Sequence, residues 1–146
     1  MSIAVNKKAR FEYEIVETFQ AGIKLSGPEV KSVRAGHVQL VGSYVIVRGT
    51  HVSLLNAHIS PYKPASLNNA EPTRSRDLLL RKSEIEKITR QVEGGMTCVP
   101  LSIYLKNNLI KVEVAIAKGK KLHDKRKTIK EREGKREAQR VMKYQQ

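Results

Sequence analysis

The sequence of 146 residues has little cysteine, few acidic residues and no long apolar run. Its single cysteine, Cys98, cannot form a disulfide within the chain, which predicts that the protein resides in a reducing compartment. One cysteine also cannot complete a zinc knuckle. No apolar run approaches the length of a membrane span. The first residues also carry charges where a secretory signal needs an apolar stretch. We therefore expect a soluble, cytoplasmic protein that does not bind membranes.

The shortage of acidic residues leaves 14 Asp and Glu against 28 Lys and Arg, a formal net charge of +14. Such a surplus indicates a polyanionic partner, with nucleic acid favoured over an anionic membrane surface. Residues 118–146 hold 12 basic and 4 acidic residues, a net charge of +8, and few core-forming residues. The composition therefore predicts two parts, a globular body over residues 1–117 and a basic C-terminal tail over residues 118–146.

Alternating apolar and polar residues predict that the body is mainly β. The expected strands lie in residues 10–19, in 23–25, in 38–47 around a tight turn at Gly42–Ser43, in 51–59, and in 101–116 around Asn107–Asn108. The last of these segments is the clearest hairpin, because asparagine tolerates the positive φ that a two-residue turn requires.

Two segments predict helices between these strands. One runs from Glu29 to Ala35 behind Pro28, and a longer one covers residues 78–92 with a Ser83-x-x-Glu86 capping box inside it. That box suggests that the longer segment restarts and forms two helices. Short strands with inserted helices favour a small antiparallel β-barrel of the oligonucleotide-binding (OB) type. An open antiparallel sheet with helices on one face is the alternative.

Catalytic and metal-binding signatures are absent from the sequence. The four histidines show no ligand spacing, and neither a nucleophile elbow nor a phosphate-binding loop is present. Glu12, Glu14 and Glu17 could suggest acid–base chemistry, but alternation explains Glu12 and Glu14 better as the solvated face of a strand. Cys98 is expected to be a buried strand residue. We therefore expect that the protein is not an enzyme, has no catalytic residue, and binds no cofactor, metal or small-molecule substrate.

Four segments together resemble a known family. They are GPEVKSVRAG at residues 27–36, HISPY at 58–62, EPTRSRDLLL at 71–80 and AKGKKLHDKRKTIKERE at 117–133. Their sequence and order are similar to those of the SsrA-binding protein (SmpB) family, the protein partners of bacterial transfer-messenger RNA (tmRNA). Each motif alone is modest evidence, whereas four in order over the whole chain are strong evidence.

The resemblance implies a trans-translation factor that rescues stalled ribosomes. Its OB-like barrel would bind the tRNA-like domain of tmRNA and deliver it to a vacant A site. The tail would enter the decoding centre and the empty mRNA channel, contacting mainly small-subunit ribosomal RNA. From Asp124 onward the tail has good helix formers but no strong apolar face, so we expect it to be disordered alone and helical when bound.

Phosphate neutralisation and the family pattern together predict the tmRNA-binding residues. They are Gln20, Glu29, Lys31, Arg34, Arg74, Arg76, Leu79 and Lys111. The family pattern supplies Gln20 and Leu79 and supports Lys111. The family usually has glutamate at position 20, and glutamine keeps hydrogen-bonding capacity there without the charge.

These barrel residues have plainer alternatives. The two cations of the first helix could form its solvated face, and the two arginines near the second could only solubilise a loop. Leu79 could be a core residue. Lys111 could protect a sheet edge from aggregation.

The tail residues expected to bind the ribosome follow the end of the last strand. They are Gly119, Lys120, Lys121, His123, Asp124, Lys125, Arg126, Lys130 and Arg132. Gly119 would be a hinge, Asp124 an N-cap, and His123 would stack on an unpaired base, the alternative being a solvated side chain. The family usually has tryptophan where this chain has Gly134, so we expect weaker helix propagation beyond that point.

Three other classes of protein compete with this interpretation. A general RNA-binding module or a ribosomal protein would also combine a small body with a basic tail. A nuclease would need a metal-binding carboxylate cluster, which the sequence does not show.

Overall fold

The structure, a computed structural model, describes residues 2–62 and 71–119. This part of the chain contains nine strands and three helices. The strands are β1 (Ser2–Val5), β2 (Tyr13–Ile23), β3 (Val38–Gln39), β4 (Tyr44–Arg48), β5 (His51–Leu55), β6 (His58–Ile59), β7 (Arg76–Leu79), β8 (Thr97–Lys106) and β9 (Leu109–Gly119). The helices are α1 (Lys7–Glu12), α2 (Gly27–Arg34) and α3 (Lys82–Glu93). None of these three helices is long and apolar enough to cross a membrane.

Seven strands form one antiparallel sheet in the order β1-β8-β9-β2-β7-β5-β4, and β3 pairs separately with β6. The sheet curves until β4, at one end of this order, contacts β8 near the other end. It thereby closes around one apolar core, to which α2, α3 and almost every strand contribute. The predicted mainly β, OB-like barrel with inserted helices is confirmed.

The long ribbon of β2, β8 and β9 forms the centre of this barrel. Phe19 and Ala21 of β2 face the core, whereas Gln20 between them is exposed. In β8, every residue from Cys98 to Ile103 is buried, because α1 covers the outer face of that stretch. Ala9 of α1 packs there on a small second apolar cluster with Val99, Leu101, Ala115 and Ala117.

Helix α1 corrects the expectation that residues 10–19 form one strand. Residues 10–12 are helical, and β2 starts at Tyr13. The buried side chain of Asn6 starts the helix, since its Oδ1 accepts a hydrogen bond from the N–H of Ala9 at 3.2 Å. Its Nδ2 donates to the carbonyl of Pro100 at 3.0 Å. A distant strand therefore fixes this cap, and local alternation could not reveal it.

The expected helix over residues 78–92 is also only partly correct. Arg76–Leu79 is strand β7, and α3 begins at Lys82, so the segment is a strand and a helix rather than two helices. Leu78 pairs with β2 and β5, and these neighbours convert an ambiguous apolar run into a strand. The helix start does not use the Ser83 box. Instead, Glu84 Oε1 accepts from the backbone N–H of Arg81 at 3.0 Å.

Of the two hairpins that the sequence predicts, the structure confirms one. Asn107 and Asn108 have φ values of 51° and 64° and close the β8–β9 hairpin as expected. The hairpin expected around Gly42–Ser43 is wrong, because the strands on either side of that turn do not pair with each other. Instead, β3 pairs with β6 and β4 pairs with β5. The predicted first helix is confirmed as α2, which starts at the N-cap residue Ser26.

Candidate nucleic-acid interface

Strand register brings the main candidate residues onto one outer face of the barrel. Leu79 of β7 pairs with Gly22 of β2, Gly22 pairs with Lys111 of β9, and Lys111 pairs with Tyr104 of β8. Directly paired residues of antiparallel strands point to the same face, and Gln20, two residues from Gly22, points there too. The structure thus collects Gln20, Leu79 and Lys111, which lie far apart in sequence.

An open cleft of about 690 Å³ lies over this row of residues, and we call it the β2–β9 cleft. Besides Gln20, Leu79 and Lys111, its lining includes two residues that the sequence analysis missed, Lys106 and Leu109. Both flank the Asn107–Asn108 turn, and Leu109 alternates in phase with Lys111. That alternation was a signal that could have identified Leu109.

Leu79 is held over the sheet by the absence of a side chain at Gly22. A Cβ atom built on Gly22 would lie 3.2 Å from the Cβ of Leu79, closer than most real contacts. Leu79 is nevertheless 52% exposed. The alternative that Leu79 is a core residue is therefore wrong, because the side chain covers β2 from outside the barrel.

An amide and an ammonium group meet at the lining of the cleft. Lys106 Nζ donates a hydrogen bond to Gln20 Oε1 at 3.3 Å. Because glutamine is uncharged, this hydrogen bond does not pair the lysine with an opposite charge. Lys111 lies between β2 and β8 in the middle of the sheet, so protection of a sheet edge does not explain it.

Helix α2 carries two exposed cations, Lys31 and Arg34. Lys31 Nζ lies 5.2 Å from the ring centroid of Tyr62, within cation–π range. Arg34 donates from a terminal guanidinium nitrogen to the carbonyl of Asn108 at 3.0 Å. Leu109 lines both the β2–β9 cleft and a smaller cleft that contains Arg34, so the two clefts are neighbours.

Glu29 connects α2 to the segment that leads into β7. Its buried carboxylate accepts from Arg76 Nε at 2.7 Å, from Arg74 Nε at 3.2 Å and from the Ser26 N–H at 3.0 Å. Arg76 also donates to the carbonyls of Ala57, Pro72 and Arg74. Its side chain is 0% exposed, so the alternative that it merely solubilises a loop is wrong.

The electrostatics of this cluster follow from burial and pairing. Burial acts to raise the pKa of the Glu29 carboxyl, but hydrogen bonds from Arg74, Ser26 and Arg76 outweigh it and hold that pKa below its ordinary value. Burial lowers the pKa of Arg76, and the carboxylate of Glu29 opposes this shift. Glu29 and Arg76 are therefore buried partners that join α2 to β7 within the protein, while Arg74 is partly exposed.

Most of the expected tail residues lie outside the described residues. Gly119, which is exposed, is the last residue of β9 and pairs with Tyr13, and Lys118 pairs with Glu14. The strand thus extends two residues beyond residue 117. The residues outside the described part are Lys120, Lys121, His123, Asp124, Lys125, Arg126, Lys130 and Arg132, together with Gly134.

The three glutamates and the cysteine that could suggest catalysis lie in regular elements of the structure. Glu12 lies in α1, Glu14 in β2, and Glu17 accepts from Lys87 Nζ at 2.7 Å. Burial raises the pKa of the Cys98 thiol to about 12, which disfavours the reactive thiolate. Within residues 2–62 and 71–119, no group of three or more His, Cys, Asp and Glu side chains could hold a metal ion.

The barrel and its outer face together define a class of protein. It is a small antiparallel β-barrel of the OB type with a cationic, partly apolar face suited to a polyanion. Comparison with known families gives the particular one. The family model described as "SmpB protein" matches residues 3–144. The chain belongs to the SmpB family.

Named relatives agree over nearly the full chain. An SsrA-binding protein of Trichormus variabilis is 52% identical over 143 residues, covering 97% of this chain and 92% of the relative. The SsrA-binding protein of Chromohalobacter salexigens is also 52% identical, covering 97% and 91% of the two chains. A solved structure described as "tmRNA-SmpB: a journey to the center of the bacterial ribosome" matches with a TM-score of 0.68 and 43% identity, covering 81% of this chain and 84% of that one.

Proposed function

We propose that this chain is an RNA-binding factor of trans-translation. It binds the tRNA-like domain of tmRNA through the barrel and delivers that RNA to the vacant A site of stalled ribosomes. The observation that carries the proposal is the convergence of Gln20, Leu79 and Lys111 on one cleft. Family membership and the relatives' names, which state that they bind SsrA, support the same function.

The barrel suits folded RNA because it carries four cations in two groups, of which all but the half-buried Lys111 are exposed. Lys106 and Lys111 line the β2–β9 cleft, and Lys31 and Arg34 lie on the neighbouring face of α2. Phosphate contacts of this kind supply most of the affinity, and exposed apolar side chains can contact bases that leave the stack. Glu29 and Arg76 act indirectly in this proposal, because their buried pairing orients α2 against β7.

The tail has a separate part in the proposal. Residues 118–146, with a net charge of +8, would enter the decoding centre and the empty mRNA channel, where His123 stacks and Lys120, Lys121 and Arg126 pair with phosphates. The ribosomal partner is mainly small-subunit RNA. The protein acts in the cytoplasm by binding alone, with no catalysis, cofactor or small-molecule substrate.

A competition gel shift with the full chain tests the barrel's role. The labelled RNA is a tRNA-like hairpin domain, and the competitors are the same RNA unlabelled and an unrelated structured RNA of equal length. We expect the unrelated RNA to compete at least about tenfold less well at moderate salt, because the barrel distinguishes the two RNAs. Tail electrostatics alone would not discriminate between them. Equal competition by the two RNAs would reduce the protein to a general basic RNA binder.

A further inference from the structure

Two exposed leucines share the β2–β9 cleft. Leu79 is 52% exposed and Leu109 is 60% exposed, and both line the cleft. A single exposed leucine needs no explanation. A pair of them facing one cleft among lysines does, since it costs solubility and contributes nothing to the core.

Local structure holds both leucines in place. Leu79 lies against Gly22, where any side chain would crowd it. Leu109 directly follows the two positive-φ residues of the β8–β9 turn, Asn107 and Asn108. Arg34 fixes that turn through its hydrogen bond to the carbonyl of Asn108. The apolar pair is therefore preorganised, which lowers the entropic cost of binding a ligand between the two side chains.

The charges around the leucines select the ligand. Arg81, Lys106 and Lys111 line the cleft against one acidic residue, Glu84, whose carboxylate accepts from the Arg81 N–H. Lys106 Nζ is held at the cleft by its hydrogen bond to Gln20. A flat apolar group joined to an anion matches this arrangement, and an unpaired nucleotide has both parts.

We propose that Leu79 and Leu109 contact the face of one unpaired nucleobase and that Lys106 pairs with its phosphate backbone. This inference rests on the proposed function and deepens it, because it adds Leu109 and Lys106 to the RNA-binding residues. The two kinds of side chain make different contacts: the leucines make apolar contact with a base, whereas the lysine pairs with a phosphate.

A double-mutant cycle between protein and RNA tests the role of the leucines. Full-length wild type, Leu109→Ala and the control Val41→Ala are titrated with a tRNA-like hairpin RNA and with versions in which each unpaired nucleotide in turn is abasic. Val41 is 61% exposed, like Leu109, but lies outside the cleft. We expect Leu109→Ala to weaken binding about fivefold, because alanine is too short to cover the base, and Val41→Ala to change it less than about twofold.

One abasic position should weaken wild-type binding to a similar extent and should cost Leu109→Ala nothing further. The slope of log affinity against log salt concentration is negative, and Lys106→Gln should make it less steep by about 0.7–0.9. Leu109→Ala should not change this slope. Wild-type affinity for Leu109→Ala, or a reduction that adds to every abasic position alike, would overturn the inference. Failure of the proposed function is a different result, in which wild type binds tRNA-like and unrelated RNA equally.

Discussion

The buried cluster around Glu29 makes the strongest prediction about stability. Glu29→Gln removes the only carboxylate that pairs with Arg76 in the described part of the chain, and that arginine side chain is 0% exposed. An uncompensated buried charge costs about 3–5 kcal/mol. The amide oxygen can still accept one hydrogen bond, so we expect the lower end, about 3 kcal/mol. With a urea m value of roughly 2 kcal/mol/M, the unfolding midpoint should fall by about 1.5 M.

Urea unfolding at pH 7, followed by circular dichroism, measures this change. The matched control is Glu17→Gln, which breaks the Lys87–Glu17 pair. The side chains of that pair are 47% and 38% exposed. An exposed pair contributes less than about 1 kcal/mol, so the control should lower the midpoint only slightly. Equal shifts for the two variants would refute the conclusion that the Glu29 cluster is a buried structural pair.

Acid should weaken the same cluster. Since folding lowers the pKa of Glu29, the carboxylate stabilises the protein above its ordinary pKa of about 4.5. This contribution is lost as the pH falls through the lower pKa of the folded state. The difference in unfolding free energy between wild type and Glu29→Gln should therefore shrink below about pH 4. A difference that stays constant down to pH 2 would contradict this assignment.

Four further predictions concern the cleft, the hairpin and the core. Gly22→Ala should displace Leu79 and weaken binding of tRNA-like RNA about fivefold in a gel shift, with an unchanged urea midpoint. Lys111→Gln should make the negative slope of log RNA affinity against log salt concentration less steep by about 0.7–0.9, again without a change in the urea midpoint. Asn108→Val should cost about 1–2 kcal/mol in urea unfolding because φ is 64°, whereas Asn108→Gly should be tolerated. Cys98, with a thiol pKa of about 12, should react with a disulfide reagent at pH 8 only as fast as the protein opens, and denaturant should abolish this protection.

Local signals in the sequence were sufficient for some elements of the fold. The β8–β9 hairpin was predictable because Asn107 and Asn108 meet the turn's φ requirement between two alternating segments. Helix α2 was predictable from its first-turn proline. Its N-cap is Ser26, whose Oγ accepts from the N–H of Glu29. In each case the deciding residues lie within a few positions of one another.

Elements fixed by distant contacts were not predictable in this way. Helix α1 depends on Asn6, whose side chain bonds a carbonyl 94 residues away. The strand at Leu78 depends on pairing with β2 and β5. An apolar run is equally compatible with a helix and a strand until its neighbours are known.

The site shows the same limit. Family resemblance supplied Gln20 and Leu79, but only strand register shows that they share a face with Lys106 and Leu109. The burial of Arg76 could not be inferred from sequence, because a charged residue is buried only when paired and its partner lies 47 residues away.

Delivery of RNA to the ribosome is the central claim, and cosedimentation tests it most directly. Labelled tRNA-like RNA is mixed with the full chain and with ribosomes whose A site is either vacant, with no codon, or filled by a codon and its tRNA. The account predicts that the RNA sediments with the vacant ribosomes only when the chain is present, and much less with the filled ones. Equal sedimentation with both kinds of ribosome, or sedimentation that does not require the chain, would contradict it.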